Sequence, residues 1–523
     1  MGMKILWWID NNEYGKCEDC QQDNTGQQWC NICNSIRFQS EFNKWTSEDI
    51  EINEFIQQTQ FKATNYEEVI EWIPFDRFDN IEYLAQGGFG KVFKATWSDG
   101  FIQHWDYEKN NWRRDGNQGI CLKSLYTSTC KNKFLQEIKN QLKFRGPWAI
   151  AMYGITKNPT ENEYMMVMQY AKYGSLRKML NTKFKILSWK QKITILFYIA
   201  LGLAKIHETG LMHKDFHSGN IVNENIVSPY ITDFGLCRPV SQNDNETIYG
   251  VISYMAPETL NKGEYTQASD VYSFGMIMLE VFTSYPPYYN IPHDEKLVFL
   301  ICDGHKPEII YEIPQLLKDL MEKCWNTDPF NRPTAKELEF QLKLYSDEYI
   351  CNSSYKKSEI YKQTNKASKA NKLNKNFIQY DPKITHPQAI YTSRHLSFLK
   401  FKTIIHDTKQ WDFKIPEDII SINSSREEVK PKTFWNMCHG HVGTIVVAKV
   451  AGTDEISYNL LAFYCEFMMK SKVSDFAQNN QCWCYYDSNA YYEKPRSENK
   501  QKIFILNFTL NLFFSISLLM IFF

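Results

Sequence analysis

Four side chains near the middle of the chain could hold and transfer a phosphoryl group. Lys123 lies inside a short apolar segment, and Asp215 and Asn220 share the octapeptide HKDFHSGN at 213–220. Asp233 follows in YITDFG. A lysine that points inward from a strand needs an anionic partner, and carboxylate and amide oxygens are ligands that Mg²⁺ accepts beside phosphate oxygens. These residue types therefore indicate chemistry on a magnesium-bound phosphate.

A glycine cluster upstream could cover that phosphate. The segment IEYLAQGGFGKVFKATW at 81–97 has β-branched and aromatic residues on both sides of Gly87, Gly88 and Gly90, which predicts two strands and a glycine-rich turn. Without a Cβ, the turn lets backbone N–H groups approach a phosphate closely. A simple hairpin turn fits the same residues, so the cluster alone does not decide between the two.

Two predicted helices must position the charged groups. In KNKFLQEIKNQL, the apolar residues follow helical spacing, so Glu137 can face the sheet and meet Lys123. A long buried helix is predicted over 188–210, with Ser188 as its cap and Gly210 at its end. The octapeptide follows this second helix directly.

Taken in order along the chain, these motifs resemble a known family. Residues 76–345, about half of the chain, are similar to the eukaryotic protein kinase domain, closest to the tyrosine-kinase-like group. The motifs that carry the resemblance are AQGGFGKV, ICLK, Glu137, HKDFHSGN, DFG at 233–235, APE at 256–258, DVYSFG at 270–275 and CWNTDPFNRPT at 324–334. The resemblance implies an α+β, bilobal kinase fold with a β-rich N-lobe and a helical C-lobe. It also implies ATP and Mg²⁺ as cofactors, and protein hydroxyls as acceptors, with Ser/Thr favoured over Tyr.

The resemblance also assigns roles to residues of this chain. Lys123 would hold the α- and β-phosphates and pair with Glu137, Asp215 would accept the proton of the substrate hydroxyl, and Asn220 and Asp233 would bind Mg²⁺. The nucleotide would be lined by Ala85, Gly87, Gly88, Gly90, Val92, Cys121, Met168, Gln169, Ala171 and Val222. The structural roles would belong to a Glu258–Arg332 pair and to Asp270, which would brace the catalytic loop.

Several positions depart from the family pattern. Ala85 replaces the first glycine of the loop, and Cys121 replaces a small alanine above adenine. Lys214 replaces an arginine that reads a phosphate on the activation loop, and a lysine lacks its bidentate fork. His217 replaces a lysine of many Ser/Thr kinases. A pseudokinase scaffold is the first alternative function, but such scaffolds typically lose Lys123, Asp215 or Asp233, and all three are present.

The activation segment holds three candidate phosphorylation sites, which are Thr247, Tyr249 and Ser253. Each could equally be an ordinary polar loop residue. Earlier in the chain, residues 98–119 are an insertion between two N-lobe strands and are predicted to extend them into a long hairpin.

Four cysteines form a pattern typical of a metal site. Cys17 and Cys20, then Cys30 and Cys33, give two Cys-x2-Cys pairs that are separated by nine residues. Four thiolates from two such turns can enclose Zn²⁺ tetrahedrally, so residues 14–38 are predicted to be a four-cysteine zinc knuckle. Disulfides or free thiols are the alternatives. A helical linker is expected over 39–75.

The regions after the kinase-like segment carry weaker signals. A basic, flexible linker with little to bury is expected over 346–385, and residues 386–470 faintly resemble a partial TLDc domain, which would form a C-terminal α/β module. The apolar stretch 503–523 is a candidate transmembrane tail, and a mispredicted gene end fits it too. A membrane-anchored adaptor is therefore the second alternative function. With a net charge of −1 and scattered cysteines, we expect no nucleic-acid partner and a cytoplasmic location, or a tail anchor in a membrane.

Overall fold

The computed structural model divides into two units, residues 1–407 and residues 408–523. The structure describes residues 14–86, 90–124, 131–144, 146, 148–239, 248–309, 311–350, 358–373 and 379–396 of the first unit. In the second unit it describes 468–471, 482–485, 490–492, 503–510 and 514–521.

A six-stranded sheet forms the N-lobe, and its strands lie in the order β1-β7-β8-β6-β3-β2. These strands are β1 (Glu71–Trp72), β2 (Phe78–Gln86), β3 (Lys91–Trp97), β6 (Gln118–Ser124), β7 (Met152–Asn158) and β8 (Glu163–Gln169). The alternation of buried and half-buried residues along β6 turns Ile120 and Leu122 into the core and leaves Lys123 on the opposite face. In this register Lys123 pairs with Val92 and with Met166.

A helix and an N-terminal segment pack on the face of this sheet that is opposite to Ile120 and Leu122. Helix α3 (Lys131–Lys143) buries Phe134, Leu135 and Ile138. Two earlier helices, α1 (Asn31–Glu41) and α2 (Ile50–Lys62), precede the sheet. The sequence predicted a helical linker here, and the structure packs α2 against α3. We call residues 14–62 the four-cysteine module.

The C-lobe is helical and surrounds one large apolar core. Its helices are α4 (Leu176–Lys183), α5 (Trp189–Glu208), α6 (Pro257–Lys262), α7 (Gln267–Thr283), α8 (Glu295–Cys302), α9 (Gln315–Cys324) and α10 (Ala335–Ile350). Ser188 caps α5 and exchanges hydrogen bonds with Gln191. Gly210 follows with φ +73°, a left-handed conformation that favours glycine. The predicted helix over 188–210 is thus confirmed.

Short strands lie around the cleft between the lobes. They are β9 (Gly174–Ser175), β10 (Leu211–Met212), β11 (Ile221–Asn225), β12 (Ser228–Ile231), β13 (Arg238–Pro239), β14 (Tyr249–Gly250) and β15 (Arg394–His395). β10 pairs with β13, and β11 pairs with both β12 and β9. The loop between β10 and β11 and the segment between β12 and β13 therefore have a paired strand at each end.

The expectation of a flexible linker over 346–385 is wrong for the described part of this region. Helix α10 continues to Ile350, and α11 (Glu359–Leu373) follows. Ile360, Thr364 and Ala367 are buried because their spacing places them on one face of α11. Residues 379–396, which we call the tail segment, then lie along the C-lobe and end at Leu396, which is buried in its core.

In the second unit the structure describes strands. Strands β16 (Met468–Ser471) and β17 (Cys482–Tyr485) pair with each other, and β18 (Ala490–Tyr492), β19 (Ile503–Leu510) and β20 (Phe514–Ile521) form a second sheet. The stretch considered as a membrane-spanning tail is therefore an antiparallel pair here, with Asn507 opposite Ser517. Among the described residues we find no helix that is both long and apolar enough to cross a membrane. Most of the TLDc-like region, residues 397–467, lies outside the described part of the chain.

Candidate active site

The structure brings Lys123, Glu137 and Asp233 together at the back of the cleft. Lys123 Nζ lies 2.8 Å from Glu137 Oε1 and 3.2 Å from Asp233 Oδ1. Burial alone would lower the pKa of Lys123, but the charges of Asp233 and Glu137 outweigh it and raise that pKa. Lys123 is therefore a fixed cation, which can hold the oxygens of a phosphate.

Helix α3 places Glu137 on Lys123, and contacts from two directions hold the helix. The Asn140 side chain donates a hydrogen bond of 3.2 Å to the carbonyl of Phe234, next to Asp233. A Cβ added to Gly235 would come within 2.9 Å of Glu137 Oε2, so the DFG backbone lies directly on the glutamate. The position of α3 and that of the DFG segment are thus coupled by contact.

The four-cysteine module holds α3 from the side opposite to the DFG segment. Ile52 and Ile56 of α2 are fully buried and belong to the same apolar cluster as Phe134, Leu135 and Ile138 of α3. At the first turn of α3, Lys131 Nζ lies 3.0 Å from Asp49 Oδ2 and 2.9 Å from Glu51 Oε2. This contact surface was not anticipated by the sequence reasoning, because apolar periodicity shows that a face is buried but does not name its partner.

Asp215 and Asn220 lie side by side in the loop between β10 and β11. Asn220 Nδ2 donates to the backbone carbonyl and to Oδ2 of Asp215, both at 2.9 Å. Asp215 is 3% exposed, and its Oδ1 accepts no hydrogen bond from any described residue. Burial would raise the pKa of Asp215, but His217 and the Ser393 hydroxyl lower it to about 2. Asp215 is therefore an ionised carboxylate with one oxygen available.

The backbone of this loop is braced by a buried carboxylate. Asp270 accepts hydrogen bonds from the N–H groups of His213 at 2.8 Å and Lys214 at 3.1 Å. Lys214 has φ +70°, a conformation that L side chains rarely adopt, so the loop needs these bonds to keep its shape. The structure thus places Asp270 where a bracing role requires it.

A second carboxylate, the half-buried Glu258, lies deeper in the C-lobe. Arg332 Nη1 and Nη2 donate to Glu258 Oε1 and Oε2 at 2.6 and 2.8 Å, which is the bidentate geometry of a strong ion pair. Arg332 also donates to the carbonyls of Ala268 and Asn326. The pair therefore joins the start of α6, the start of α7 and the loop before α10.

Apolar side chains line the cleft where an adenine ring would fit. Cys121, Met168, Ala171 and Val222 belong to one apolar cluster. At the hinge, the Gln169 N–H donates to the carbonyl of Ala151 at 2.9 Å. The carbonyl of Ala171 likewise accepts from Gly174. Each of these two residues has a second backbone group, and a carbonyl oxygen can accept two hydrogen bonds, so the assignment of Gln169 and Ala171 to adenine stays a prediction.

The glycine-rich turn is described only in part. Ala85 pairs with Val92 where β2 and β3 approach the turn, and Gly90 is buried. Gly87 and Gly88 lie outside the described residues.

The residues present fit a magnesium-bound nucleotide. Asp215, Asn220 and Asp233 offer oxygen atoms on two adjacent loops, beside the cation of Lys123. Two carboxylate oxygens of this set, Asp215 Oδ1 and Asp233 Oδ1, are buried without a hydrogen bond from the described residues, and the second lies 3.2 Å from Lys123 Nζ as an ion pair. Because an orphaned buried oxygen is costly, it favours a ligand in the cleft.

Comparison with known proteins agrees with this geometry. A family model described as protein tyrosine and serine/threonine kinase matches residues 78–342, about half of the chain. The chain belongs to this protein kinase family. A probable serine/threonine-protein kinase of Dictyostelium discoideum is 27% identical over 267 residues, which cover 49% of this chain and 18% of the relative. The probable serine/threonine-protein kinase gdt2 of the same organism is 28% identical over 301 residues, which cover 55% of this chain and 17% of the relative. The chain thus spans less than a fifth of the length of these relatives.

A hydroxyl that sequence reasoning missed lies on Asp215, the predicted base of the kinase domain. Ser393 Oγ, in the tail segment, donates to Asp215 Oδ2 at 2.5 Å and lies 3.2 Å from His217 Nε2. Ser393 falls in a region that was assigned to a TLDc-like module, and its sequence surroundings carry no periodic pattern. Only the three-dimensional path of the chain reveals this contact.

The activation segment corrects another expectation. Ser253, a candidate phosphorylation site, is completely buried, so a second kinase cannot reach its hydroxyl in this fold. Tyr249 is half-buried in β14, and Thr247 lies outside the described residues.

The four predicted cysteine ligands meet at one point, next to the kinase domain. Cys17 Sγ lies 3.7 Å from Cys33 Sγ, and Cys20 Sγ lies 3.6 Å from Cys30 Sγ. All four sulfurs lie within 4.8 Å of one another. A disulfide needs about 2.05 Å, whereas a tetrahedral zinc site with bonds of about 2.3 Å has sulfurs about 3.8 Å apart. The cluster could therefore hold a metal ion, and the four cysteines are free of disulfides.

The insertion between β3 and β6 packs on this cluster. Strands β4 (Phe101–Asp106) and β5 (Asn111–Asp115) form the predicted hairpin. The Trp112 ring stacks on Phe38 with centroids 4.6 Å apart, and the Arg37 guanidinium lies 4.4 Å from the Trp105 ring centroid. Tyr107 Oη lies 3.7 Å from Cys17 Sγ. The hairpin thus joins the four-cysteine module to the N-lobe sheet.

Proposed function

We propose that this chain is an ATP- and Mg²⁺-dependent protein kinase that transfers the γ-phosphate of ATP to Ser or Thr hydroxyls of proteins. The observation that carries the proposal is the joint presence of two sets of groups in one cleft. The Lys123–Glu137 pair with Asp233 can hold phosphates, and Asp215 with Asn220 can receive a hydroxyl. A pseudokinase scaffold typically lacks a member of this set.

Each side chain has a definite task in this reaction. Lys123 holds the α- and β-phosphate oxygens, while Glu137 keeps its ammonium group in place. Asn220 and Asp233 hold Mg²⁺, which supplies positive charge to the transferring phosphoryl group. Asp215 orients the acceptor hydroxyl and takes its proton. Catalysis is therefore positioning plus electrostatic stabilisation by groups that are fixed before the substrate arrives.

Two observations support a preference for Ser/Thr. The relatives reported above are named probable serine/threonine-protein kinases, and the side chain that the fold brings to Asp215 is a serine. Membership of the tyrosine-kinase-like group rests on the motif resemblance, above all on HKDFHSGN and CWNTDPFNRPT.

We further propose that Cys17, Cys20, Cys30 and Cys33 bind a structural Zn²⁺. Burial and the neighbouring thiols raise the pKa of Cys33, so four thiolates at this distance need a cation between them. A closed set of four sulfurs leaves no position for a substrate, which favours a structural role over a catalytic one.

Transfer of labelled γ-phosphate from ATP tests the kinase proposal. The full chain is incubated with Mg²⁺, labelled ATP and casein, and the total label on the chain and on casein is measured. Asp215→Asn should reduce this total by about 10²–10⁴-fold, because it removes the base.

Asp347→Asn is the matched control, since Asp347 is exposed on α10 and lies outside the cleft. It should label as the wild type does. Equal label from wild type and Asp215→Asn would contradict the assigned mechanism. Binding of ATP without any transfer would favour the scaffold alternative.

A further inference from the structure

We propose that Ser393 is the acceptor of an intramolecular phosphoryl transfer, and that the tail segment excludes other protein substrates from the cleft until this transfer has occurred. The inference rests on the proposed kinase function and adds to it a modification site and a means of regulation. Four features of the described residues carry it.

The first feature is the environment of the Ser393 hydroxyl. Its Oγ donates to Asp215 Oδ2 at 2.5 Å, which is the contact that a substrate hydroxyl has to make with the base. His217 Nδ1 accepts from the N–H of Gly219 at 3.1 Å, which leaves a ring proton on Nε2. That Nε2 lies 3.2 Å from Ser393 Oγ and can donate to it. The hydroxyl is thus held from two sides and keeps one lone pair for attack.

The second feature is the backbone that presents this serine. Arg394 and His395 form β15, which pairs antiparallel with β14 of the activation segment, with Arg394 opposite Gly250 and His395 opposite Tyr249. Leu396 N–H then donates to the carbonyl of Ile248 at 2.9 Å. An extended peptide that adds a strand to an exposed edge is a general means of peptide recognition. The tail segment therefore lies as a bound peptide lies.

The third feature is the anchoring of residues on both sides of Ser393. Leu396 is 2% exposed and belongs to the core of the C-lobe. Arg394 Nη2 donates to the carbonyl of His293 at 2.7 Å, and Tyr391 Oη donates to the carbonyl of Pro287 at 2.9 Å. These side-chain contacts fix the register of β15 against β14, so the neighbouring Thr392 cannot take the place of Ser393 at Asp215.

The fourth feature is the contrast with that neighbour. Thr392 also carries a hydroxyl, but its side chain is exposed to solvent. A segment that only packed on the C-lobe would need no hydroxyl at Asp215. The selection of one of two adjacent hydroxyls favours a role as acceptor.

The transfer balances without any further reactant. Ser393 Oγ forms a bond to the γ-phosphorus of ATP, and the bond between that phosphorus and the bridging β–γ oxygen breaks. ADP leaves with the electron pair of that bond, and the hydroxyl proton passes to Asp215 and then to solvent. The products are ADP and a phosphoserine at 393.

Release of the tail segment follows from charge. A phosphoserine carries about −1.5 to −2 charge, and it would lie against the ionised carboxylate of Asp215. Like charges at this distance repel, so the modified tail should leave the cleft and open it to other proteins. Before modification, those proteins compete with an acceptor that is tethered and therefore present at high effective concentration.

The test is phosphate mapping by peptide mass spectrometry on the full chain after incubation with Mg²⁺ and ATP. We expect phosphate at Ser393, and we expect the rate per chain to stay constant across a dilution series because the step is intramolecular. Ser393→Ala should lack this phosphate and should label added casein more slowly than wild type, since its tail segment cannot be released. Thr392→Ala is the matched control and should behave as wild type in both assays.

The outcomes separate this inference from the proposed function. If casein is labelled while Ser393 is not, and Ser393→Ala labels casein as fast as wild type, the inference is overturned and the kinase function stands. A rate per chain that rises in proportion to protein concentration would overturn the intramolecular step. If neither the chain nor casein is labelled, the proposed function fails, and this inference fails with it.

Discussion

The segments on the two sides of the kinase domain pack on it by different means. The four-cysteine module contacts the N-lobe through apolar side chains of α2, which lie against α3 and away from the reacting atoms. The tail segment contacts the cleft itself, through backbone pairing with β14 and through one hydroxyl on Asp215. One flank can therefore set the position of Glu137, while the other can compete for the acceptor site.

This difference also decides what each flank tolerates. An apolar contact depends on volume and shape, so α2 can support α3 in every state of the reaction. Under the proposed function, a hydroxyl on Asp215 would be altered by the reaction that it takes part in. We therefore expect the four-cysteine module to act on stability and the tail segment to act on turnover.

The largest effect is expected from loss of the metal. Cys30→Ser removes one of four sulfur ligands, and structural zinc contributes apparent binding free energies of about 10–16 kcal/mol to small modules. Zinc content measured by plasma mass spectrometry should fall from full occupancy to near zero, and residues 14–62 should become sensitive to protease. The control variant Cys302→Ser changes a cysteine outside the cluster and should leave the zinc content of the protein unchanged. A wild-type protein without zinc under reducing conditions would refute the assignment.

The second effect is on the contact between α2 and α3. Ile52→Ala leaves a cavity against α3 and should lower the free energy of unfolding of the N-terminal part by about 2–5 kcal/mol. Ile50→Ala is the matched control two residues away, because Ile50 is 77% exposed whereas Ile52 is completely buried. Denaturant unfolding of both variants measures the difference. Equal midpoints would show that α2 does not support the N-lobe.

The third effect is on turnover. Arg394→Ala removes a charged hydrogen bond to the carbonyl of His293 and should loosen the tail segment. Charged hydrogen bonds contribute about 1.5–3 kcal/mol, so the initial rate of casein labelling should rise by about tenfold or more. The unfolding midpoint should stay unchanged, in contrast to Ile52→Ala. A lower rate would mean that the tail segment assists the cleft instead of blocking it.

The smallest effect is expected at the exposed end of α3. Lys131→Ala removes ion pairs to Asp49 and Glu51, and such surface pairs contribute little and are screened by salt. Its loss of stability should be smaller than that of Ile52→Ala and should disappear at high ionic strength. Unfolding at low and high salt measures it, and a salt-independent loss would indicate a packing role for the lysine stem.

The sequence predicted those parts of the site whose residues follow a recognisable order and spacing. The helix that brings Glu137 to Lys123 follows from apolar periodicity, and the cysteine cluster follows from two paired turns. In the structure, Lys123 Nζ lies within 3.2 Å of carboxylate oxygens of Glu137 and Asp233. The nearest sulfur pairs of the cysteine cluster lie 3.6 and 3.7 Å apart.

Contacts between segments that are distant in sequence could not be predicted in the same way. Trp112 has no local signal that names Phe38 as its partner, and α11 was mistaken for a flexible linker because its many lysines hide a narrow buried face. Ser393 is the clearest case, since its place at Asp215 depends on backbone pairing with β14. Backbone groups are the same in every residue, so such pairing leaves little trace in the sequence.

A time course that follows both acceptors in one reaction tests the account most directly. The wild-type chain is mixed with Mg²⁺, labelled ATP and casein, and the phosphate on Ser393 and on casein is measured from the first seconds onward. We predict that Ser393 is labelled first and that casein labelling begins after a lag, which Arg394→Ala shortens. Linear casein labelling from the start, with Ser393 unlabelled throughout, would contradict the account.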